Sequence, residues 1–269
     1  MYFDTHSHIY LNKKFSEEEI VKNLENDNVK KIVCIWIDIE SSKKCIEIAK
    51  KYPWIVYASV WIHPNDIKQY LNNIETTFNV IEHLILNNLD VVVWVWETGF
   101  DFHYIEETEK NIEKQNQELF FTKHIELAKK YDLPVIIHSR DSKEETIELL
   151  KKVDFKKFIL HCFSEDMDFA FKAIYFSEIC KISFSWIVTY KSATNIQNVA
   201  ANIPLERIII ETDCPYLSPQ EVRWTENFPN NIKYTAKKIF ELREKNWKKE
   251  NFEDFLQKIY NNSLDIFDL

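Results

Sequence analysis

The sequence predicts an α/β fold: a single (β/α)8 TIM-type barrel spanning residues 1–269, with an extra C-terminal helix. Short β-rich segments alternate with longer helical segments from one end of the chain to the other, which is typical of a parallel sheet covered by helices. Eight such units follow one another without a linker, a repeat or a change in composition. The length of 269 residues also suits one barrel of this type, which takes about 250 residues.

Each element is predicted from its local pattern. The predicted strands are short, mostly apolar runs at 1–6, 31–37, 55–60, 91–97, 134–138, 157–161, 179–184 and 207–211. The predicted helices follow them at 17–26, 42–51, 72–88, 109–131, 142–152, 166–175, 192–202 and 230–245. A last helix at 251–268 lies beyond the eighth unit, and we expect it to cover the barrel.

Two of these helices carry the clearest signals. Helix 109–131 has core-type residues at mixed three- and four-residue steps, namely Ile112, Leu119, His124, Leu127 and Ala128. The segment from Asp141 to Glu144 is a capping-box signature, which predicts that the following helix begins there with Asp141 as its cap.

The bulk composition excludes several classes of protein. The net charge of −9 gives no long-range attraction to nucleic acid or to anionic membranes, so a polyanion would need a local basic patch or a bound cation. Five cysteines without CxxC spacing indicate reduced thiols. The first strand starts at Met1, which leaves no room for a signal peptide, and no apolar run approaches the roughly 20 residues of a membrane span. We therefore expect a cytoplasmic protein with no membrane attachment and no obligate protein partner.

Side chains of the types that bind metal ions stand at the ends of five predicted strands. They are His6, His8, Glu97, His138, His161 and Asp213. The spacing of His6 and His8 places both imidazoles on one face of a strand. Glu97 ends an apolar run, where a carboxylate is costly unless it is paired or bound to a cation. The two later histidines also close apolar runs, and Asp213 follows the eighth strand with Glu211 before it.

Each of these residues taken alone has an ordinary explanation. A histidine after a strand can be a hydrogen-bonded core residue, and Asp213 can cap a helix. Because parallel strands of a barrel end at one face, however, we expect these side chains to meet there. Such a cluster can hold two divalent ions with Glu97 as a bridge, and four imidazoles favour Zn or Mn over Mg. Two ions would polarise a phosphoryl oxygen and activate a water whose proton Asp213 can accept, so we predict Asp213 and Glu97 as catalytic residues.

The motifs that contain these residues carry a resemblance to a known family. They are Asp4-Thr-His-Ser-His8, Ile62-His63-Pro64, Glu97-Thr-Gly-Phe-Asp101, His138-Ser-Arg140, His161-Cys-Phe-Ser164 and Glu211-Thr-Asp-Cys-Pro-Tyr-Leu-Ser-Pro219. With them the whole chain resembles the TatD-like family of metal-dependent deoxyribonucleases, within the amidohydrolase-type barrels. The resemblance implies that the six residues bind two divalent ions, Mg, Mn or Zn. It also implies cleavage of DNA, typically from the 3′ end and preferably of single strands.

Two further residues, His63 and Arg140, match positions near the scissile phosphate in that family. Arg140 suits bidentate phosphate binding, although His63 could be a turn residue and Arg140 part of a surface ion pair. Two departures from the family pattern bear on substrate affinity. Phe228 replaces the glutamate that usually follows Asn227, and Glu165 replaces a glycine, which adds a negative charge near the path of a polyanion.

The glycine content departs furthest from that family. Average usage predicts roughly 19 glycines, but the chain has Gly99 alone together with eight tryptophans. Our hypothesis is that most of the tryptophans are glycines, encoded by UGA and translated as tryptophan. Five of them stand where the family pattern has glycine, namely Trp36, Trp61, Trp96, Trp186 and Trp224; Trp54, Trp94 and Trp247 stand where glycine is tolerated. If they are tryptophans, indoles beside metal ligands would overpack the barrel mouth and weaken activity.

Three functions remain open at this point. The first is a metal-dependent deoxyribonuclease acting on DNA ends. The second is an amidohydrolase acting on a small molecule, although Glu97 occupies the place at the end of the fourth strand where a carbamylated lysine would bridge the ions. The third is an inactive nucleic-acid-binding barrel, which applies if the tryptophans are genuine.

Overall fold

The computed structural model of the protein describes residues 1–35, 38–60, 62–106, 108–246 and 251–269. Its strands are β1 (Tyr2–Ser7), β2 (Val29–Cys34), β3 (Val56–Val60), β4 (Val92–Asp101), β5 (Val135–Arg140), β6 (Phe158–Leu160), β7 (Lys181–Phe184) and β8 (Ile208–Ile210). Its helices are α1 (Glu17–Asn23), α2 (Ile39–Lys51), α3 (Ile74–Leu86), α4 (Lys110–Tyr131), α5 (Lys143–Val153), α6 (Met167–Phe176), α7 (Thr194–Asn202), α8 (Ile232–Asn246) and α9 (Phe252–Phe267). The predicted alternation of strands and helices is confirmed.

Strand β4 differs most from its predicted bounds. It was expected to end at residue 97, but its ladder with β5 continues as far as the pairing of Asp101 with Arg140. The extension is possible because Gly99 allows the two strands to approach closely. Its φ is +143°, and a Cβ atom there would lie 2.0 Å from the carbonyl oxygen of His138. The end of the predicted strand 31–37 lies partly outside the described residues.

The eight strands pair in chain order, and every ladder between them is parallel. The two outer strands approach each other through the residues that follow them. Ser7 and Cys214 form a parallel bridge, the backbone N–H of His8 donates to Cys214 O at 2.7 Å, and that of Asp213 donates to His6 O at 2.9 Å. The carboxyl ends of β1 and β8 are thereby brought to the same mouth.

The core lies inside the sheet and between the sheet and its helices. Consecutive residues of β2, such as Ile32 and Val33, are both fully buried, as expected for a parallel strand covered on both faces. Helix α9 covers the opposite end from the mouth, because the ring of Phe3 near the start of β1 lies 5.5 Å from that of Phe267. The Asn262 side chain of α9 also donates to the carbonyl oxygen of Ile208, the first residue of β8, at 2.8 Å.

Helix α4 buries a different set of residues from the predicted one. His124, Leu127 and Ala128 are buried as expected, but Ile112 and Leu119 are 63% and 41% exposed. The face that packs on the sheet carries the buried aromatic pair Phe120 and Phe121 instead. These two large side chains, which follow Leu119 directly, determine which face of the helix turns inward.

The predicted cap of α5 is wrong. The helix begins at Lys143 after Ser142, and no side chain caps its first turn. Asp141 has a left-handed backbone, with φ +55°, so its carboxylate points away from the helix and lies 2.8 Å from Nδ1 of His103. Ser142 Oγ donates to the carbonyl oxygen of Phe100 instead.

Two expectations from composition can be compared with the structure. All five cysteines are free. Within the described ranges, none of the helices has the length and apolarity that crossing a bilayer requires.

Two left-handed backbone positions among the described residues are occupied by neither Asn nor Asp. Positive φ angles occur at Asn28, Trp54, Asp132, Asp141, Asp154, Cys162, Asp213 and Asp268. Asn and Asp tolerate this conformation because their short polar side chains bond locally. The two exceptions are Cys162, which directly follows His161, and Trp54, with φ +69° in the exposed turn between α2 and β3. The backbone of Trp54 favours glycine, which agrees with the glycine hypothesis at this position.

Candidate metal centre

The six predicted ligand residues converge at the carboxyl ends of the strands. His6 lies in β1 and His8 directly after it, Glu97 in β4, His138 in β5, His161 directly after β6 and Asp213 three residues after β8. All are buried or half-buried. Side chains that are separated by more than 200 residues in sequence therefore face one another across the mouth.

The first group consists of His6, His8 and Asp213 with one oxygen of Glu97. The Nε2 atoms of the two histidines are 3.2 Å apart. His6 Nε2 lies 3.6 Å from Glu97 Oε2 and 3.7 Å from Asp213 Oδ1, and His8 Nε2 lies 3.6 Å from the same Asp213 oxygen. Ligands at about 2.0–2.2 Å from a tetrahedral ion are separated from one another by roughly 3.3–3.6 Å. In each of these four pairs the atoms are therefore spaced as two ligands of one cation would be.

The second group surrounds the other oxygen of Glu97. Oε1 lies 3.2 Å from Nδ1 of His138, 3.3 Å from Nε2 of His161 and 4.0 Å from Nε2 of His63. The two oxygens of one carboxylate thus face two different groups of imidazoles. The predicted role of Glu97 as a bridge between two cations requires this arrangement.

The charges of this cluster also suit a cation. Burial raises the pKa of Glu97, but the neighbouring His161 and His138 outweigh burial and hold the pKa well below its usual value. Burial lowers the pKa of His138, but Asp101 and Glu97 outweigh it and raise the pKa to about 9. Burial and the neighbouring His161 hold the pKa of His6 well below its usual value. Glu97 is therefore an anion, and a bound cation would displace the proton of His138.

Asp101 belongs to the site although the sequence did not single it out. Its Oδ2 lies 3.2 Å from Nε2 of His138, on the side of the ring opposite Glu97. Asn65 Nδ2 donates to the same oxygen at 3.1 Å, and Gln117 Oε1 accepts from the Asp101 backbone N–H at 3.0 Å. Asp101 therefore fixes the orientation of His138. The signal was its spacing of four from Glu97, which places both on one face of a strand.

Glu211 is the second carboxylate behind a histidine. It is almost fully buried, and its Oε1 lies 2.8 Å from Nδ1 of His161. The same oxygen accepts from the Cys162 backbone N–H at 2.8 Å, and Oε2 accepts from Ser183 Oγ at 2.6 Å. Carboxylates in this position fix the ring and the tautomer of a ligating histidine. The sequence placed Glu211 beside Asp213 but did not assign it this role.

A pocket of about 460 Å³ opens above the cluster. It is lined by His8, His63, Glu97, His138, Ser139, Arg140, His161, Cys162, Ser164, Trp186, Ile187, Asp213, Tyr216 and Leu217. Both residues predicted to contact substrate, His63 and Arg140, lie in its wall. The guanidinium carbon of Arg140 lies 5.2 Å from the ring centre of Tyr104. Glu165 follows the pocket residue Ser164 and is half-buried, although it does not itself line the pocket.

The tryptophans of the glycine hypothesis are only partly described. Trp36, Trp61 and Trp247, and the side chains of Trp94 and Trp96, lie outside the described residues. Trp186 lines the pocket, and its indole N–H is buried without a hydrogen-bond partner among the described residues. Such an orphaned donor is uncommon and unfavourable. Trp224 is 92% exposed.

Comparison with known proteins places this cluster in a family. The model of the family described as "TatD related DNase" matches residues 3–268. An uncharacterized metal-dependent hydrolase of Mycoplasma genitalium is 34% identical, over 90% of this chain and 91% of its own. Another from Bacillus subtilis is 32% identical, over 91% and 92%. Among solved structures, a TatD homologue from Escherichia coli, 24% identical, has a TM-score of 0.87 over 100% of this chain and 98% of its own, so the fold is that of the TatD barrels.

Proposed function

The chain belongs to the family of TatD related DNases, and from this premise we propose that it is a metal-dependent deoxyribonuclease. Its substrate is DNA, its reaction is hydrolysis of phosphodiester bonds, and its preferred point of attack is the 3′ end of a single strand. The five free cysteines suit the cytoplasmic location that we propose with it.

The observation that carries the proposal is the position of Glu97 between two groups of imidazoles. His6, His8 and Asp213 with Oε2 of Glu97 would hold one divalent ion, and His138 and His161 with Oε1 would hold a second. Two ions in these positions would polarise a phosphoryl oxygen and lower the pKa of the attacking water. The mixed set of imidazoles and carboxylates suits Zn or Mn, and Mg to a lesser extent.

The remaining chemistry falls to the side chains that face the pocket. Asp213 is partly exposed there, with 15% of its side chain accessible, and its carboxylate accepts the proton of the attacking water. Arg140 lines the pocket and would donate to the phosphate of a bound strand. Desolvation lowers the pKa of His63 to about 4, so this imidazole is neutral and donates a single hydrogen bond to the phosphate. Glu97 keeps the two groups of imidazoles at a fixed separation.

The alternative of a small-molecule amidohydrolase receives less support. The described residues that line the pocket include no lysine, and the place of a bridging carbamate at β4 is taken by Glu97. Arg140 in the pocket wall suits the recognition of a phosphate, which amide hydrolysis does not require.

The proposal is tested with single-stranded DNA labelled at its 3′ end. We expect release of label with Mn²⁺ or Mg²⁺ and none with a chelator. Binding of DNA without release of label would instead identify an inactive binding protein. Neither release of label nor binding of DNA would refute the nuclease and leave the amidohydrolase as the remaining function.

Replacing Asp213 by asparagine is expected to abolish turnover and to leave much of the bound metal. Asp254→Asn, on the exposed face of α9 at the opposite end of the barrel, is the matched control. If Asp213→Asn retains turnover, the Asp213 carboxylate does not accept the proton of the attacking water.

A further inference from the structure

The chain has only four arginines, and their surroundings divide them into two pairs. Arg207 and Arg243 donate to backbone carbonyl oxygens away from the mouth. Arg140 and Arg223 instead lie over tyrosine rings. Neither of these two forms an ion pair with a carboxylate in the part of the chain that the structure describes. In a protein with a net charge of −9, cations without a carboxylate partner are suited to bind a polyanion.

Arg223 rests on a rigid support. Its guanidinium carbon lies 4.8 Å from the ring centre of Tyr190. The Tyr190 hydroxyl donates to the carbonyl oxygen of Ser218 at 2.8 Å, and the Tyr190 carbonyl oxygen accepts from Nε2 of Gln197 at 2.8 Å. Both ends of the tyrosine are therefore fixed. Arg223 itself is exposed, and the Trp224 ring near its guanidinium is 92% exposed, so a ligand can reach the planar head from solvent.

This Arg223–Tyr190 stack lies directly behind the wall of the pocket. The ring centre of Tyr190 is 5.2 Å from that of Trp186, which lines the pocket. Ser218, whose carbonyl oxygen accepts the hydrogen bond from the Tyr190 hydroxyl, follows the pocket residue Leu217. The stack is thus on the side of β7 and β8, whereas Arg140 ends β5 on another side of the cluster.

Local charge favours the stack as the route by which a strand leaves the pocket. On the side of Arg140, the pocket residues Arg140 and Ser164 are each followed directly by an acidic residue, Asp141 and Glu165. On the other side Glu221 and Glu226 are near Arg223 in sequence, but among the described atoms neither carboxylate comes within 4 Å of its guanidinium. A chain of phosphates is repelled less over Arg223 than over Glu165.

We propose that the Arg223–Tyr190 stack is a second binding site for the substrate strand, at a nucleotide removed from the cleaved bond. The guanidinium plane accepts a base by stacking, and its N–H groups donate to a backbone phosphate. This inference rests on the proposed nuclease function and deepens it, because it identifies the substrate as an oligonucleotide long enough to reach from the metal centre to the stack. On this proposal, a dinucleotide or a small phosphodiester binds at the metal centre without engaging the stack.

Binding is measured by fluorescence anisotropy with labelled oligothymidylates of two and eight nucleotides. The protein is the Mn²⁺-loaded Asp213→Asn variant, which holds the strand without cleaving it. We expect Arg223→Gln to weaken binding of the eight-nucleotide strand about tenfold, within the range for one stacked base, and to leave the dinucleotide unchanged. Arg223→Lys keeps the positive charge but lacks the planar guanidinium group. Full affinity in this variant would show that charge attraction alone binds the strand, and it would overturn the stacked site.

Hydrolysis separates this inference from the function on which it rests. With bis(p-nitrophenyl) phosphate, kcat and KM of Arg223→Gln are expected to equal those of the parent enzyme. With the eight-nucleotide strand, KM is expected to rise about tenfold with little change in kcat. A parent enzyme that cleaves neither substrate would refute the nuclease. A parent that cleaves both, with Arg223→Gln indistinguishable from it, would refute only the second site.

Trp224 provides the last control, because its ring centre also lies 5.5 Å from the guanidinium carbon of Arg223. Trp224→Gly is expected to keep the dependence of affinity on strand length. If this dependence disappears in Trp224→Gly and survives in Arg223→Gln, the indole and not the Arg223–Tyr190 stack binds the base, and the inference is wrong.

Discussion

Trp54 allows the backbone requirement of one position to be measured directly. Its φ of +69° lies in the left-handed region, where a Cβ atom is crowded by the following carbonyl oxygen. The side chain is 79% exposed, so it packs little against the rest of the protein. The informative comparison is between Trp54→Gly and Trp54→Ala. Both variants lose the indole, and only the alanine variant keeps the Cβ atom.

The expected difference follows from two opposing terms. The left-handed conformation costs a residue with a Cβ atom about 1–2 kcal/mol, which glycine avoids. Glycine gains extra freedom in the unfolded chain, which costs about 0.4–1 kcal/mol of stability relative to alanine. The first term exceeds the second, so Trp54→Gly should be more stable than Trp54→Ala by about 0.5–1 kcal/mol. For a chain of this size that corresponds to about 1–3 °C in Tm.

Trp224 is the matched control for this comparison. It is also exposed, at 92%, but it is not among the described residues with positive φ. There only the entropy term applies, so Trp224→Ala should be more stable than Trp224→Gly by about 0.4–1 kcal/mol. The free energies of unfolding are obtained from urea titrations, with a common slope for the four variants. The order of glycine and alanine should therefore reverse between the two positions.

An alanine variant as stable as the glycine variant at position 54 would refute the argument from backbone conformation. A reversal between the two positions would show that residue 54 occupies a site shaped for glycine. This result would support the glycine hypothesis at one position independently of the codons.

Three further predictions concern the metal centre. Glu211→Gln should weaken metal binding about 10–100-fold in calorimetric titration, because His161 loses its orienting carboxylate, whereas the exposed control Asp254→Asn should leave it unchanged; equal affinities in all three proteins would contradict this role. Since the pKa of His138 in the metal-free protein is about 9, metal affinity should fall as the pH falls from 9 to 6. Because Asp101 raises this pKa, Asp101→Asn should release fewer protons on metal binding at pH 7.5, and an unchanged release would argue against the coupling of Asp101 to His138. Glu97→Gln should lower the number of ions bound per chain, measured by elemental analysis after dialysis, and an unchanged number would exclude a bridging role.

The order of strands and helices was predictable because each unit carries its own periodicity. The ligand cluster was predictable for a different reason: parallel strands in one barrel must end at the same face. Thus His6 and Asp213 could be placed together although no local pattern relates them. The distances that distinguish the two oxygens of Glu97 could not be predicted, because they depend on the rotamers of several packed side chains.

What the sequence missed depends on single backbone angles and on contacts between distant loops. Asp141 matched a helix cap, but its positive φ turns the carboxylate toward His103. Ile112 matched a core position, but the neighbouring aromatic pair in α4 turned another face inward. The contact of Arg223 with Tyr190 joins the loops after β7 and β8, and no spacing in the sequence relates the two residues.

The glycine hypothesis and the second binding site meet at Trp186. This side chain lies in the pocket wall beside Tyr190, between the metal centre and the Arg223–Tyr190 stack, and its N–H has no partner among the described atoms. With tryptophan there, a strand must pass over the indole to reach Arg223. With glycine there, the wall would open toward Tyr190 and the pocket and the stack would form one continuous groove. The codons decide between these cases, since UGG at positions 61, 96 and 186 would exclude glycine at those positions and leave a narrowed site. UGA there would make the wider groove the native one, and Trp186→Gly would then bind the eight-nucleotide strand more tightly than the protein with tryptophan.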